Sequence, residues 1–202
     1  MNIDSALEFL KKDSKMYKLI RIYDPPILKP RDDYFYTLVR SIVFQQLNGK
    51  VANIIFMRFI DLLPRNKINP KYVLMLNNSE MKKVGLSFQK INYIKNLAHF
   101  FNENSFDNNT VDKMSDDEIS KLLIKIKGVG QWTIDMFLMF TLNRLDVMPY
   151  SDLAIKKGMK SLFNLNELPA KHEMKSLSIN WSPFRTIACM YLWKIADDGF
   201  EW

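Results

Sequence analysis

Cysteine is almost missing from this chain. Cys189 stands alone among 202 residues, which excludes an internal disulfide and the four-thiolate set of an iron–sulfur cluster. Histidine is nearly as scarce: with only His99 and His172 beside that thiol, the usual ligands of a structural zinc site are missing too. No uncharged run approaches a membrane span, and the opening MNIDSALEFLKKDSK has acidic residues but no apolar core for a secretory leader. These absences imply no membrane partner and a reduced compartment of cytoplasmic type. Glycine occurs only six times, so each position it takes asks for a reason.

What is present is apolar and basic. Hydrophobic residues make up 48% of the chain, enough for a sizeable core, and 29 Lys and Arg against 22 Asp and Glu leave a net charge of +7. That balance favours polyanionic partners. Apolar residues recur at helical spacing as Val51, Ile55, Phe59, Leu62, then as Ile91, Ile94, Leu97, Phe101, and again as Phe184, Ile187, Tyr191, Ile195. No segment sustains period-two alternation. The expected fold is all-α, with roughly ten helices separated by clusters of Pro, Asn and Asp such as DPPILKPRDD (24 to 33) and LPRNKINP (63 to 70).

Two of the six glycines stand one residue apart in KIKGVGQW, residues 125 to 132. Before them, Ser115 and Glu118 form a capping box that opens a helix with Ile119, Leu122, Leu123 and Ile126 on its inner face. After Gly130 a second helix begins with QWTIDMFLMFTL. Glycine permits backbone angles and close approach that a side chain forbids, and unpaired amides at a helix N-terminus form an anion site. For a basic protein a DNA phosphate is the natural anion. A tight interhelical turn with no ligand explains the same residues.

Larger blocks decide between them. LLIKIKGVGQWTIDMFLMFTL resembles the helix-hairpin-helix of DNA base-excision glycosylases, and VMPYSDLAIKKGM resembles the segment that holds their catalytic aspartate. SIVFQQLNGKVANIIF (41 to 56), VGLSFQKINYIKNLA (84 to 98) and WSPFRTIACMYLWK (181 to 194) agree in the family's order. The chain is thereby similar to the helix-hairpin-helix (HhH-GPD) superfamily, in its 3-methyladenine DNA glycosylase II branch. The resemblance implies two helical lobes with the active cleft between them: residues 31 to 144, with the hairpin at about 115 to 143, and residues 1 to 30 with 145 to 202. No counterpart of the amino-terminal β-domain of larger relatives is expected, because only some 34 residues precede the span of the resemblance, from about residue 35 to 195.

Roles carried over by resemblance attach to specific positions. Asp152, which by itself reads as a helix cap, becomes the catalytic carboxylate, and the helix dipole helps keep it charged. Trp132 stands where the lyase-competent branch has a Schiff-base lysine, so the enzyme is expected to be monofunctional. Trp132, Met136, Trp193 and Arg185 are the expected base pocket, although core packing accounts for aromatic residues equally simply. Arg185, Cys189 and Trp193 follow one another at i, i+4, i+8 on a face distinct from the apolar stripe, which suits a cleft. Other acids, among them Asp32, Asp33, Asp116, Asp117, Asp197 and Asp198, read as solvated.

In QQLNG (45 to 49), Gln46 takes the position that fills the gap left in DNA, with Gln45 and Leu47 beside it; a polar turn is the plain alternative. Gly128 and Gly130 are expected to donate amides to a phosphate, with Lys125 and Lys127 adding charge. The carbonyls of Ile124, Ile126 and Val129 would hold a structural Na+ or K+, while the chemistry requires no cofactor. The expected activity is hydrolytic release of alkylated purines, such as 3-methyladenine and 7-methylguanine, from double-stranded DNA by a nucleoid-associated or nuclear monomer. Two rivals stay open: a silent helix-hairpin-helix DNA-binding protein, and a glycosylase with lyase activity on oxidised bases.

Overall fold

The computed structural model describes residues 3–28, 33–104 and 106–196. Asp32, Asp197 and Asp198, read above as solvated, lie outside them. The fold is all-α, with no strand among the described residues and no helix there long and apolar enough to cross a membrane. Residues group into two compact units, Pro30–Phe137 and Met1–Lys29 with Leu138–Trp202.

The Pro30–Phe137 unit contains α3 (Tyr34–Phe44), α4 (Gly49–Asp61), α5 (Pro70–Met75), α6 (Asn78–Lys83), α7 (Phe88–Glu103), α8 (Asn108–Val111), α9 (Asp116–Leu123) and the start of α10 (Gln131–Phe140). Helix α7 packs on α3 and α5 and buries Ile91, Ile94 and Leu97, as the apolar spacing predicts. Helix α4 departs from its expected stripe: Val51 is exposed, and Ala52, Phe56, Phe59 and Ile60 face inward. The reason is aromatic packing, since Phe56 meets Tyr36 edge-on at 5.3 Å and Phe44 at 6.3 Å and so fixes which side of the helix turns in. Tyr34, Phe106 and Phe137 complete the aromatic core.

Local chemistry starts these helices. Asp33, Asn48, Asn69 and Ser87 each accept a backbone N–H of the following first turn. At α9 the Ser115–Glu118 capping box forms in both directions, and Ile119, Leu123 and Ile126 are buried behind it.

The other unit contains α1 (Ile3–Leu10), α2 (Ser14–Ile22), α11 (Leu153–Phe163), α12 (Lys171–Leu177) and α13 (Arg185–Ile195). Helices α1, α2 and α11 all pack on α13. Gly158 lets α11 approach α13 closely: a Cβ there would sit 2.5 Å from the Leu192 carbonyl oxygen. Because several helices surround α13, Cys189 and Trp193 are buried along with Ile187 and Tyr191. The second face therefore does not open to solvent as its spacing suggests.

Residues 138–144 group with this second unit, and hydrogen bonds explain why. Thr186 donates its N–H to Leu145 O at 2.9 Å and its hydroxyl to Arg144 O at 2.6 Å, while Val147 N–H donates to Thr186 Oγ1 at 3.0 Å. The segment leading to Asp152 is thus laced to the start of α13.

Candidate functional site

The connector between α9 and α10 assigns its glycines different tasks. Gly128 has φ +108°, and a Cβ on it would lie 2.1 Å from Tyr93 Cγ, so both backbone angle and packing exclude a side chain. Gly130 has open space around its Cβ position and is exposed. It begins α10, its carbonyl accepting Ile134 N–H at 3.1 Å. Lacking a side chain, it cannot cap, and the first-turn amides after it have no intrahelical acceptor. Lys125 and Lys127 are exposed on the connector. Of the carbonyls expected to hold a cation, that of Ile126 already accepts Val129 N–H at 2.9 Å, which leaves it one further lone pair. Neutral oxygen donors suit a hard cation of low charge.

Residues 45–47 separate into two kinds. Gln46 and Leu47 are exposed, and Gln46 has φ +56°, rare for a residue with a side chain. Gln45 is turned the other way. Its Nε2 donates to Gly128 O and to Thr133 Oγ1, both at 3.0 Å, so it braces the hairpin instead of presenting its amide outward. Lys90 Nζ donates to Val43 O at 2.7 Å and Gln45 O at 2.8 Å, satisfying carbonyls at the end of α3. Burial pushes the Lys90 ammonium below its ordinary value.

In the other unit, Asp152 caps α11 and is only 6% exposed. Oδ1 accepts the Ile155 N–H at 2.8 Å and the Trp193 indole N–H at 3.2 Å. Capping and catalysis are compatible here, because the bonds that cap the helix also orient the carboxylate. Trp193 is held in turn by the Phe140 ring at 5.6 Å. A charge fixed by N–H donors away from bulk water acts on a neighbouring charge more strongly than it would in water.

The remaining pocket candidates separate too. Trp132 is half-buried on the first turn of α10, whereas Met136 is completely buried and belongs to the core, one turn deeper on an enclosed helix. Arg185 is committed to Asp146: Nε meets Oδ1 and Nη2 meets Oδ2, each at 2.7 Å. The Arg185 N–H adds a bond to Oδ1 at 3.3 Å, and Ser182 Oγ donates to Oδ2 at 2.8 Å. Burial raises the Asp146 carboxyl, yet the Arg185 and Ser182 hydrogen bonds outweigh it and hold the group below the usual carboxylate range.

Sequence reasoning missed four residues. Lys90 and Tyr93 sit on α7, far along the chain from the segments they hold; only their place within a block shared with the glycosylases hinted at them. Asp146 had no visible partner. Asp135 hides inside the apolar run QWTIDMFLMF; it is buried and accepts Gln131 Nε2 at 2.8 Å.

Residues 39–183 match the sequence profile of the HhH-GPD superfamily of base excision DNA repair proteins, and the chain belongs to that superfamily. Within it, the chain is 34% identical over 182 residues to DNA-3-methyladenine glycosylase 1 of Schizosaccharomyces pombe, covering 89% of this chain and 80% of that one. It is 32% identical over 188 residues to the alkylbase DNA glycosidase-like protein mag2 of the same yeast, covering 91% and 88%. In three dimensions it matches the S. pombe 3-methyladenine DNA glycosylase Mag1 in complex with abasic DNA, with a TM-score of 0.87 and 30% identity over 98% of this chain and all, 100%, of the other.

Proposed function

We propose that this protein is a monofunctional DNA glycosylase that hydrolyses the N-glycosidic bond of alkylated purines in double-stranded DNA. The observation that carries the reading is Asp152: a buried carboxylate oriented by the Ile155 amide and the Trp193 indole. It lies in the segment VMPYSDLAIKKGM of a chain 34% identical to a DNA-3-methyladenine glycosylase.

The chemistry follows from the charge. An N3- or N7-alkylated purine is cationic within DNA, so when the C1′–N bond breaks its electron pair returns to the base and the base leaves neutral. Positive charge then develops on the deoxyribose, as in glycoside hydrolysis. Asp152 stabilises that charge, and a water oxygen bonds to C1′ and releases its proton to bulk solvent. Extracting the base costs a few kcal/mol of stacking, which an aromatic face such as Trp132 restores. Trp132 cannot form a Schiff base, so the abasic strand stays intact.

The N-terminus of α10 supports phosphate anchoring, with Lys125 and Lys127 alongside. A hairpin Na+ or K+ on the Ile124, Ile126 and Val129 carbonyls would add charge there. We place the protein with DNA as a monomer, in the cytoplasm of a prokaryote or in a nucleus.

The deciding assay is release of free 3-methyladenine and 7-methylguanine from methylated duplex by wild type and by Asp152→Asn. Release by the wild type alone is expected. No release by the wild type returns the silent DNA-binding reading, and a borohydride-trapped covalent complex returns the lyase.

A further inference from the structure

One face of α7 touches both DNA-directed segments of its unit. Lys90, Tyr93 and Asn96 follow at three-residue spacing. Lys90 binds the Val43 and Gln45 carbonyls, the Tyr93 ring closes over Gly128, and Asn96 Nδ2 donates to Lys127 O at 3.3 Å. Gln45 spans the remaining gap directly, from the loop to Gly128 O and Thr133 Oγ1. The orientation of its amide is fixed by chemistry, since a carbonyl can only accept and the NH2 group must face Gly128.

We infer that Gln45 is a positioning residue, anchored from behind by Lys90, that locks the exposed Gln46 loop to the phosphate-binding hairpin. This rests on the glycosylase reading above. Gln46 holds a left-handed φ of +56°, a conformation that persists only when its surroundings impose it. Its neighbours supply that constraint: Gln45 is tied at both its main-chain oxygen and its side chain, and Asn48 caps α4 through Lys50 N at 2.9 Å. Seating the hairpin on a phosphate therefore also sets the height at which residue 46 meets the base stack. Were Gln45 itself the plug, it would have to abandon two hydrogen bonds to reach DNA. The division of labour is that Gln46 inserts and Gln45 aims it.

The test uses the full chain with Gln45→Met, Lys90→Met and Lys90→Arg. Methionine keeps the size and neutrality of Gln45 but cannot donate. Stopped-flow fluorescence of 2-aminopurine beside a 7-methylguanine reports base eversion, filter binding reports affinity for undamaged duplex, and hydrogen exchange of the 46–48 amides without DNA reports the tie itself. For Gln45→Met and Lys90→Met we expect faster exchange, and eversion and single-turnover release slowed about fivefold or more, as for a lost hydrogen bond of roughly 1 kcal/mol. Undamaged-duplex affinity should stay within about twofold, and Lys90→Arg should behave as wild type.

Wild-type eversion rates in Gln45→Met overturn the inference. So does a parallel loss of duplex affinity and melting temperature, which would make Gln45 a mere strut. A failed glycosylase reading looks different: the wild type itself then releases no base, while the exchange measurement still reports whether the tie exists.

Discussion

On the glycosylase reading proposed above, the connector at Gly128–Gly130 and the corner around Asp152 would meet a charged partner by opposite means. The connector removes side chains so that main chain itself is presented, whereas the Asp152 corner uses side chains to hold a side chain, with Trp193 on Asp152 and Phe140 on Trp193. Each choice suits the charge proposed for it. A phosphate is an anion that several amides share at short range, and any Cβ at the approach would keep it away. A developing sugar cation needs one fixed negative group, and fixing it takes donors from elsewhere in the fold. Substitution should therefore fail differently in the two regions: chemistry should be lost at Asp152 and Trp193, and binding or folding at the glycines.

The largest expected effect is at Asp152. Asparagine also caps helices well, so Asp152→Asn should melt near the wild-type temperature. Base release from 7-methylguanine duplex should nonetheless fall about a hundredfold or more, the scale of removing an electrostatic group worth roughly 3 kcal/mol in a transition state. Undiminished single-turnover release by the folded variant would remove the carboxylate from the mechanism. Next come the glycines, which sharpen the contrast within one connector. Gly128→Ala meets both a φ of +108° and the Tyr93 ring, and should destabilise by about 2 kcal/mol or more, lowering the melting temperature by several degrees. Gly130→Ala meets nothing within 4 Å and should leave stability within about 0.5 kcal/mol while weakening duplex binding about tenfold. Paired thermal melts and titrations check this; equal melting losses at both positions would erase the distinction. Trp193→Phe keeps a ring against Phe140 but removes the 3.2 Å bond to Asp152 Oδ1. Its single-turnover rate should drop about tenfold at nearly unchanged duplex affinity, as for a hydrogen bond to a charged acceptor worth about 1.5 kcal/mol. An unchanged rate would mean that the Ile155 amide alone orients the carboxylate.

How much could be read before folding follows the same contrast. The capping box at Ser115 and Glu118 and the inner face of α7 depend on neighbours within about one helical turn, and local spacing reports them faithfully. The cap at Asp152 was equally visible. What sequence could not show was pairing across many residues: Gln45 to Gly128 spans 83 positions and Trp193 to Asp152 spans 41. Burial misled for a related reason. Trp193 looks like a member of an accessible face on a helical wheel, but α13 is enclosed on more than one side, and a wheel records only direction. The α4 stripe slipped because two apolar faces overlap on that helix and Phe56 outweighed Val51 in the core.

The smallest expected effect tests whether the supports of the Asp152 segment are electrostatic. Asp146 accepts a two-pronged bond from the Arg185 guanidinium and a further one from Ser182, and these overcome the burial that would otherwise raise its carboxyl. Because its folded value lies below the unfolded one of about 3.9, the contribution to stability is fully present above that pH and is lost as pH falls through the folded value. The group is partly exposed, so solvent screening limits the gain to about 1 kcal/mol or less. Asp146→Asn should therefore melt a few degrees below wild type at pH 7, and the gap should narrow from about pH 4 downward as the wild-type carboxylate takes up its proton. Thermal melts of both proteins across that range check it. A gap of constant size down to the lowest pH at which both still fold would mean that shape and neutral hydrogen bonding, and not charge, hold this segment against α13.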